Sequence, residues 1–111
     1  MKTLIHSFLF LFVFCIAANS QWALNHTFSS ADDLWLLETV NENLVWASIN
    51  FNADLMGCGI VKTSNGGSSW QEREINSATS ITCIHPRSAD VAYLGILDGA
   101  NIGKLIKTTN G

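Results

Sequence analysis

The pattern of apolar and polar positions divides the chain in two. An unbroken apolar run, Phe8 to Ala18 (FLFLFVFCIAA), stands near the start, behind the positive charge of Lys2. From Leu34 onward the apolar residues come instead in short groups: LWLLE, LVWASIN, GIVKT, SWQER, SITCI, VAYLG and GKLIKT. These groups hold the β-branched and aromatic residues, and Asn, Gly, Asp, Ser and Pro punctuate them. The pattern predicts strands over Leu34–Glu38, Leu44–Asn50, Gly59–Thr63, Ser69–Arg73, Ser80–Ile84, Val91–Gly95 and Gly103–Thr108. One segment reads two ways. In SADDLWLLETV, Ser30 could cap a helix with Leu34, Leu37 and Val40 roughly on one face. The repeat described next favours a strand there.

The phrase Lys-Thr-x-Asn-Gly occurs at Lys62–Gly66 and again at Lys107–Gly111, 45 positions on. VWASINFNADLMGCGIVKTSNG (Val45 to Gly66) aligns with VAYLGILDGANIGKLIKTTNG (Val91 to Gly111), the loops differing by one residue. Each copy starts with an apolar strand, crosses a Gly-containing polar loop and ends on the phrase. A strand-only repeat of this length points to four-stranded β-propeller blades. The reading is all-β: one full blade over about residues 34–73 and three strands of a second over about 80–111. A seven-stranded β-sandwich would leave the period without a cause.

The first twenty residues read as a secretory signal peptide, with small Ala18 and Ser20 preceding a cleavage point at Gln21. The apolar run is short for a membrane span of about 20 residues, and Phe14 argues against lipidation at Cys15. The 111 residues less these 20 leave a domain of 91, with five basic against nine acidic residues and a net charge of −4. That charge disfavours nucleic acid and anionic membranes as partners. In an oxidising compartment Cys58 and Cys83 form a bridge or remain two buried thiols, and both readings stay open. Asn25–Thr27 fits the N-x-T glycosylation pattern, which has meaning only in a eukaryotic source.

TSNGGSSW resembles the Asp-box, or BNR, repeat of sortilin-like propellers, bacterial sialidases and related secreted proteins. Thr63, Asn65, Gly67 and Trp70 fall on that pattern, with Gly66 completing the doubled glycine. SITCIHPRSADVAYLG resembles the strand–His-Pro–turn–strand segment of sortilin-like repeats. Asn65 and Asn110 stand where the family has Asp. The second copy holds Thr108, Asn110 and Gly111 but reaches no aromatic residue. The resemblance implies a hairpin clip at a blade's outer edge, and further blades in a longer chain. It also implies an unpaired edge at Gly103–Thr108 that invites association.

The residues of the clip suit a structural role. An Asn side chain folds a turn by bonding backbone N–H groups two residues on, Thr63 adds a local bond, Gly66 and Gly67 permit positive φ, and Trp70 packs on the hairpin base. Asn in place of Asp weakens a calcium reading.

Catalytic candidates are sparse. Asp32 and Asp33 are adjacent and would point to opposite faces of a strand, whereas a glycosidase needs two facing carboxylates. A sialidase site would call for an arginine cluster, and the domain offers Arg73, Arg87 and a single Tyr93. His26 and His85 stand apart, and no His/Cys/Asp set has metal-ligand spacing. Trp22, Trp35, Trp46 and Trp70 follow the strands and are read as packing residues rather than a sugar-binding face. The expectation is an exported, non-catalytic binding or scaffold module without cofactor or metal, its partner an unidentified protein or glycan. The alternative is the N-terminal part of a secreted glycan-active hydrolase.

Overall fold

In a computed structural model, residues 24–28, 32–51 and 57–111 are described. Residues 1–20, read as a signal peptide, and Trp22 lie outside them. The described residues form seven strands and no helix: β1 (Asp32–Thr39), β2 (Val45–Phe51), β3 (Gly57–Thr63), β4 (Gln71–Glu74), β5 (Ser80–Pro86), β6 (Ala92–Leu97) and β7 (Gly103–Thr108). The segment that could have been helical is β1. Two antiparallel meanders result, one ordered β1-β2-β3-β4 and the other β5-β6-β7. This is an all-β, partial propeller-like arrangement of one four-stranded and one three-stranded sheet.

The two sheets repeat each other in detail. In β1, register shifts between Leu34 and Leu37, so Trp35 and Leu36 together face Ser48. In β5 it shifts between Ile81 and Cys83, placing Thr82 and Cys83 against Gly95. Such a bulge bends and twists the strand that carries it. Both repeats put a small residue opposite. Ser48 uses its hydroxyl to accept the Leu36 N–H at 3.0 Å. At Gly95 a Cβ would lie 2.6 Å from the Cys83 sulfur, so a larger residue does not fit without displacing it.

The register corrects the sequence alignment. Val45 pairs with Thr63 and Ala92 with Thr108, so the counterpart of Val45 is Ala92, not Val91. The second hairpin has six pairs against seven, shorter by one residue on each arm. The reason is the period-2 alternation of side chains. Removing one residue from a single arm would turn that arm inside out, whereas removing a whole rung keeps both faces in place.

That alternation builds the core. Trp46 on β2 with Cys58 and Ile60 on β3 faces the second sheet, where Ile81, Ile84, Ala92, Leu94 and Ile96 meet them with Leu44 and Ala78. The opposite face of the first sheet buries Ala47, Ile49 and Val61 beneath Phe28, Phe51 and Trp70. β2 is therefore buried on both sides, from Trp46 to Ile49. Each large apolar side chain so buried contributes about 1.5–3 kcal/mol. The second sheet buries one face only: Ala92, Leu94 and Ile96 are buried, while Tyr93 and Leu105 on its far side are exposed.

Candidate functional site

The best organised polar cluster is the turn between β3 and β4. β3 and β4 are antiparallel partners, from Gly59 opposite Glu74 to Lys62 opposite Gln71. In the turn, Thr63 donates its hydroxyl to Asn65 Oδ1 at 2.9 Å and accepts the Gly67 N–H at 2.9 Å. Asn65 Oδ1 also accepts the Ser69 N–H at 3.0 Å, and Asn65 Nδ2 donates to Ser69 Oγ at 2.8 Å. Gly66 takes φ 67° and Gly67 φ 89°, the left-handed region that costs other L-residues roughly 1–2 kcal/mol. Donors and acceptors of the cluster are thus spent on one another.

The second phrase has the same start. Thr108 donates to Asn110 Oδ1 at 3.2 Å and accepts the Asn110 N–H at 3.4 Å, as Thr63 does with Asn65 at 2.9 and 3.4 Å. Gly111 takes φ 76°, matching Gly66. The Gly66 N–H donates to Asn43 O at 3.0 Å, and the Gly111 N–H to Asp90 O at 2.9 Å. Each of those acceptors lies in a loop closed by a polar side chain. Asn41 Oδ1 accepts from the N–H groups of Asn43 and Leu44, and Ser88 Oγ from those of Asp90 and Val91.

A lysine opens each phrase. Lys62 is buried, its ammonium 4.9 Å from the Trp46 ring centre and donating to Ala89 O at 2.7 Å. It ties the first repeat to the loop of the second. Lys107 stands 5.4 Å over the Tyr93 ring, the same stack in the next repeat. Both lysines were visible in the repeated phrase, but their aromatic partners sit across the hairpin, where only the register reveals them.

Trp70 is partly buried against Ala47, Ile49 and Val61. Its indole N–H donates to Asn25 Oδ1 at 3.0 Å. Phe28 meets it edge-on at 6.1 Å, and His26 lies 6.2 Å away. Asn25, from the N-x-T triplet, closes over Gly67 so tightly that a Cβ there would collide with its side-chain amide. Sequence reasoning missed this role of Asn25 because nothing local marks a contact 45 residues away.

The remaining candidates are dispersed. Trp46 is fully buried, whereas Trp35 is 70% exposed on β1 and is not the packing residue expected of it. The β1 bulge accounts for this, since Trp35 is the extra residue beside Leu36. Arg73, Arg87 and His85 are exposed on three separate segments. Cys58 and Cys83 are free, so the bridge left open by the sequence is not made. Cys58 is buried in β3 facing the second sheet, and burial pushes its thiol up. Cys83 is exposed on β5, not buried as the two-thiol reading had it. Among the described residues no three His, Cys, Asp or Glu side chains group as metal ligands, and no helix is long and apolar enough to cross a membrane.

A cavity of about 220 Å³ opens between the sheets, where β4 ends and β7 runs out. Trp46, Ile60, Leu94 and Ile106 give it apolar walls, and Thr108 and Gly111 stand on the β7 side. The Trp46 indole N–H is buried and has no acceptor among the described residues.

Compared with family models, with curated proteins and with solved structures, the chain matches none.

Proposed function

We propose that this chain is an exported, non-catalytic segment of an Asp-box β-propeller, serving as a binding or scaffold module. The observation that carries the reading is the repeat itself. Bulge, loop closure, Thr-x-Asn-Gly turn and lysine–aromatic stack recur at matching positions in both sheets. The resemblance of TSNGGSSW to the Asp-box supports the family, and the turn makes the side-chain bonds such a clip requires. Tyr93 and Leu105 occupy on the second sheet the places of Trp46 and Ile60 on the first, which the second sheet covers. A further blade on the far face would cover them in turn.

The non-catalytic part rests on how the polar groups are used. The side chains of Thr63 and Asn65 are spent on bonds within their own turn, and Arg73, Arg87 and His85 are exposed on separate segments. Export rests on Lys2, the Phe8–Ala18 run and the Ala18/Ser20 pair.

The test is to express the chain with its first twenty residues in a secreting host. The product should leave the cytoplasm and begin at Gln21. It should turn over none of a panel of fluorogenic sialosides and β-glucosides. Retention with Met1 intact would overturn export. Turnover abolished by replacing one carboxylate would overturn the non-catalytic reading and favour the glycan-active hydrolase.

A further inference from the structure

The turn between β3 and β4 contains the pair Asn65–Gly66. In an Asn-Gly pair the main-chain nitrogen reaches the side-chain amide carbon most easily, because glycine has no Cβ to shield it. Both residues are exposed, so water has access to them. The fold nevertheless ties down both reacting groups. Asn65 Oδ1 accepts the Thr63 hydroxyl at 2.9 Å and the Ser69 N–H at 3.0 Å, while Nδ2 donates to Ser69 Oγ at 2.8 Å. The attacking nitrogen is held as well, since the Gly66 N–H donates to Asn43 O at 3.0 Å.

We propose that Asn65 is a site of self-modification by deamidation, held shut by the folded turn and released when the turn opens. In the opened turn, Gly66 N bonds to Asn65 Cγ and the Cγ–Nδ2 bond breaks. The side-chain nitrogen leaves as ammonia, and the proton that Gly66 N loses passes to it through solvent. Water then opens the cyclic imide at one of its two carbonyls. One product is aspartate at position 65. The other is its isomer, whose main chain runs through the side-chain carbon. The two products differ in consequence. Aspartate keeps the oxygen that receives the Thr63 hydroxyl and the Ser69 N–H. The isomer lengthens the main chain between Thr63 and Gly67, whose side-chain-to-backbone bond of 2.9 Å spans this residue, so the turn does not re-form. Opening of the β3–β4 turn is thereby recorded in the covalent structure. When the turn opens and closes quickly, the rate follows the population of open turns. Each hydrogen bond that must open lowers that population about two- to tenfold. The inference rests on this one turn, and on neither the propeller reading nor export.

The folded chain, the same chain in urea and the synthetic peptide Thr63 to Arg73 (TSNGGSSWQER) are incubated side by side in heavy-oxygen water at mildly alkaline pH. After denaturation, trypsin cuts behind Lys62 and Arg73 and releases the same peptide from the chain. Mass spectrometry reads the conversion of amide to acid, and chromatography separates the two products. The peptide and the unfolded chain should convert at similar rates, and the folded chain about thirtyfold or more slowly. Thr63→Ala removes the hydroxyl that bonds Asn65 Oδ1 and the Gly67 N–H. It should speed conversion of the folded chain about fivefold or more and leave the peptide unaffected, whereas Thr63→Ser should keep the slow rate. Ser69→Ala removes only the acceptor of Nδ2 and serves as a milder second variant, with a smaller acceleration. Equal rates in the folded and unfolded chain would overturn the proposal, as would an unfolded chain that stays unconverted, or an acceleration by Thr63→Ala that appears equally in the peptide.

Discussion

Trp70 is the residue whose removal should reveal how much the turn contributes to the first sheet. Truncating a fully buried Trp to Ala costs about 3–5 kcal/mol. Trp70 is only partly buried, so part of that term is absent. Its contacts with Ala47, Ile49, Val61 and Phe28 remain to be lost, together with the bond to Asn25 at 3.0 Å. That bond is exposed and belongs at the low end of about 0.5–1.5 kcal/mol. The expected cost of Trp70→Ala is about 2–3 kcal/mol. In a domain this small, each kcal/mol lowers Tm by roughly 4–8 °C, so the melt should move by more than about 8 °C. Urea unfolding of the chain from Gln21 onward, followed by circular dichroism, measures it, with an unchanged slope as the check on two-state behaviour. Trp70→Phe keeps the ring and loses the N–H, so it should cost much less than Trp70→Ala. Asn25→Ala removes the same bond from the other side. In a double-mutant cycle, Asn25→Ala should add little once Trp70 is Phe. A Trp70→Ala change under about 0.5 kcal/mol, the scale of an ordinary surface substitution, would refute the packing argument. Equal costs for Ala and Phe would refute the assignment of most of the energy to the ring.

Three further outcomes follow from the turns and thiols. Asn65→Ala removes both Oδ1 acceptor bonds and the Nδ2 bond to Ser69 and should cost about 1–2 kcal/mol by denaturant unfolding; Asn65→Asp keeps the acceptor oxygen and should stay within about 0.5 kcal/mol. Asp98 is held at about 2 by Lys104, whose ammonium lies 2.7 Å from its carboxylate, with help from the Ile102 and Ala100 N–H groups. A depressed carboxylate stabilises the fold above its ordinary value and loses that contribution as pH falls toward 2, so Asp98→Asn should lower Tm near neutral pH and converge on the parent by pH 2. In the chain from Gln21 onward, a maleimide should label Cys83 rapidly and Cys58 only on unfolding, because Cys58 is buried with its thiol pushed up.

The strands were legible because apolar groups alternate with turn residues, and the two Thr-x-Asn-Gly turns because their chemistry is local. Thr63 reaches Asn65 and Gly67, and Asn65 reaches Ser69, all within four residues. Contacts between elements were not legible in the same way. Trp46 and Lys62 stand opposite each other in the register, but a one-residue error in alignment would pair Lys62 elsewhere. The alignment of the repeats, which set Val45 against Val91, likewise makes Ala92 rather than Tyr93 the counterpart of Trp46 and hides the second lysine–aromatic stack. The exposed state of Trp35 was hidden for a related reason: a bulge adds a residue without any local signal, and Trp and Leu in sequence do not show which of them turns outward. Asn25 carries a recognisable triplet, yet its bond to Trp70 depends on the path of the segment before β1.

The two repeats differ most where packing alone acts, and this explains why the polar phrase survives while the strands around it diverge. Ala47 becomes Leu94, Ile60 becomes Leu105 and a whole rung of the hairpin is lost. A sheet face tolerates such exchanges as long as the alternation of apolar positions is kept. The turn has no such freedom. Asn must offer one oxygen at a fixed distance from its own strand, and the residue after it must take positive φ, 67° at Gly66 and 76° at Gly111. The lysine that opens the phrase is constrained by the aromatic ring beneath it and, at Lys62, also by the carbonyl of Ala89 in the next repeat. Lys62 therefore couples the turn of one sheet to the loop of the other. The repeated phrase is short because its four shared positions, Lys, Thr, Asn and Gly, are those where a specific atom or backbone angle, rather than a sufficient volume, holds the hairpin.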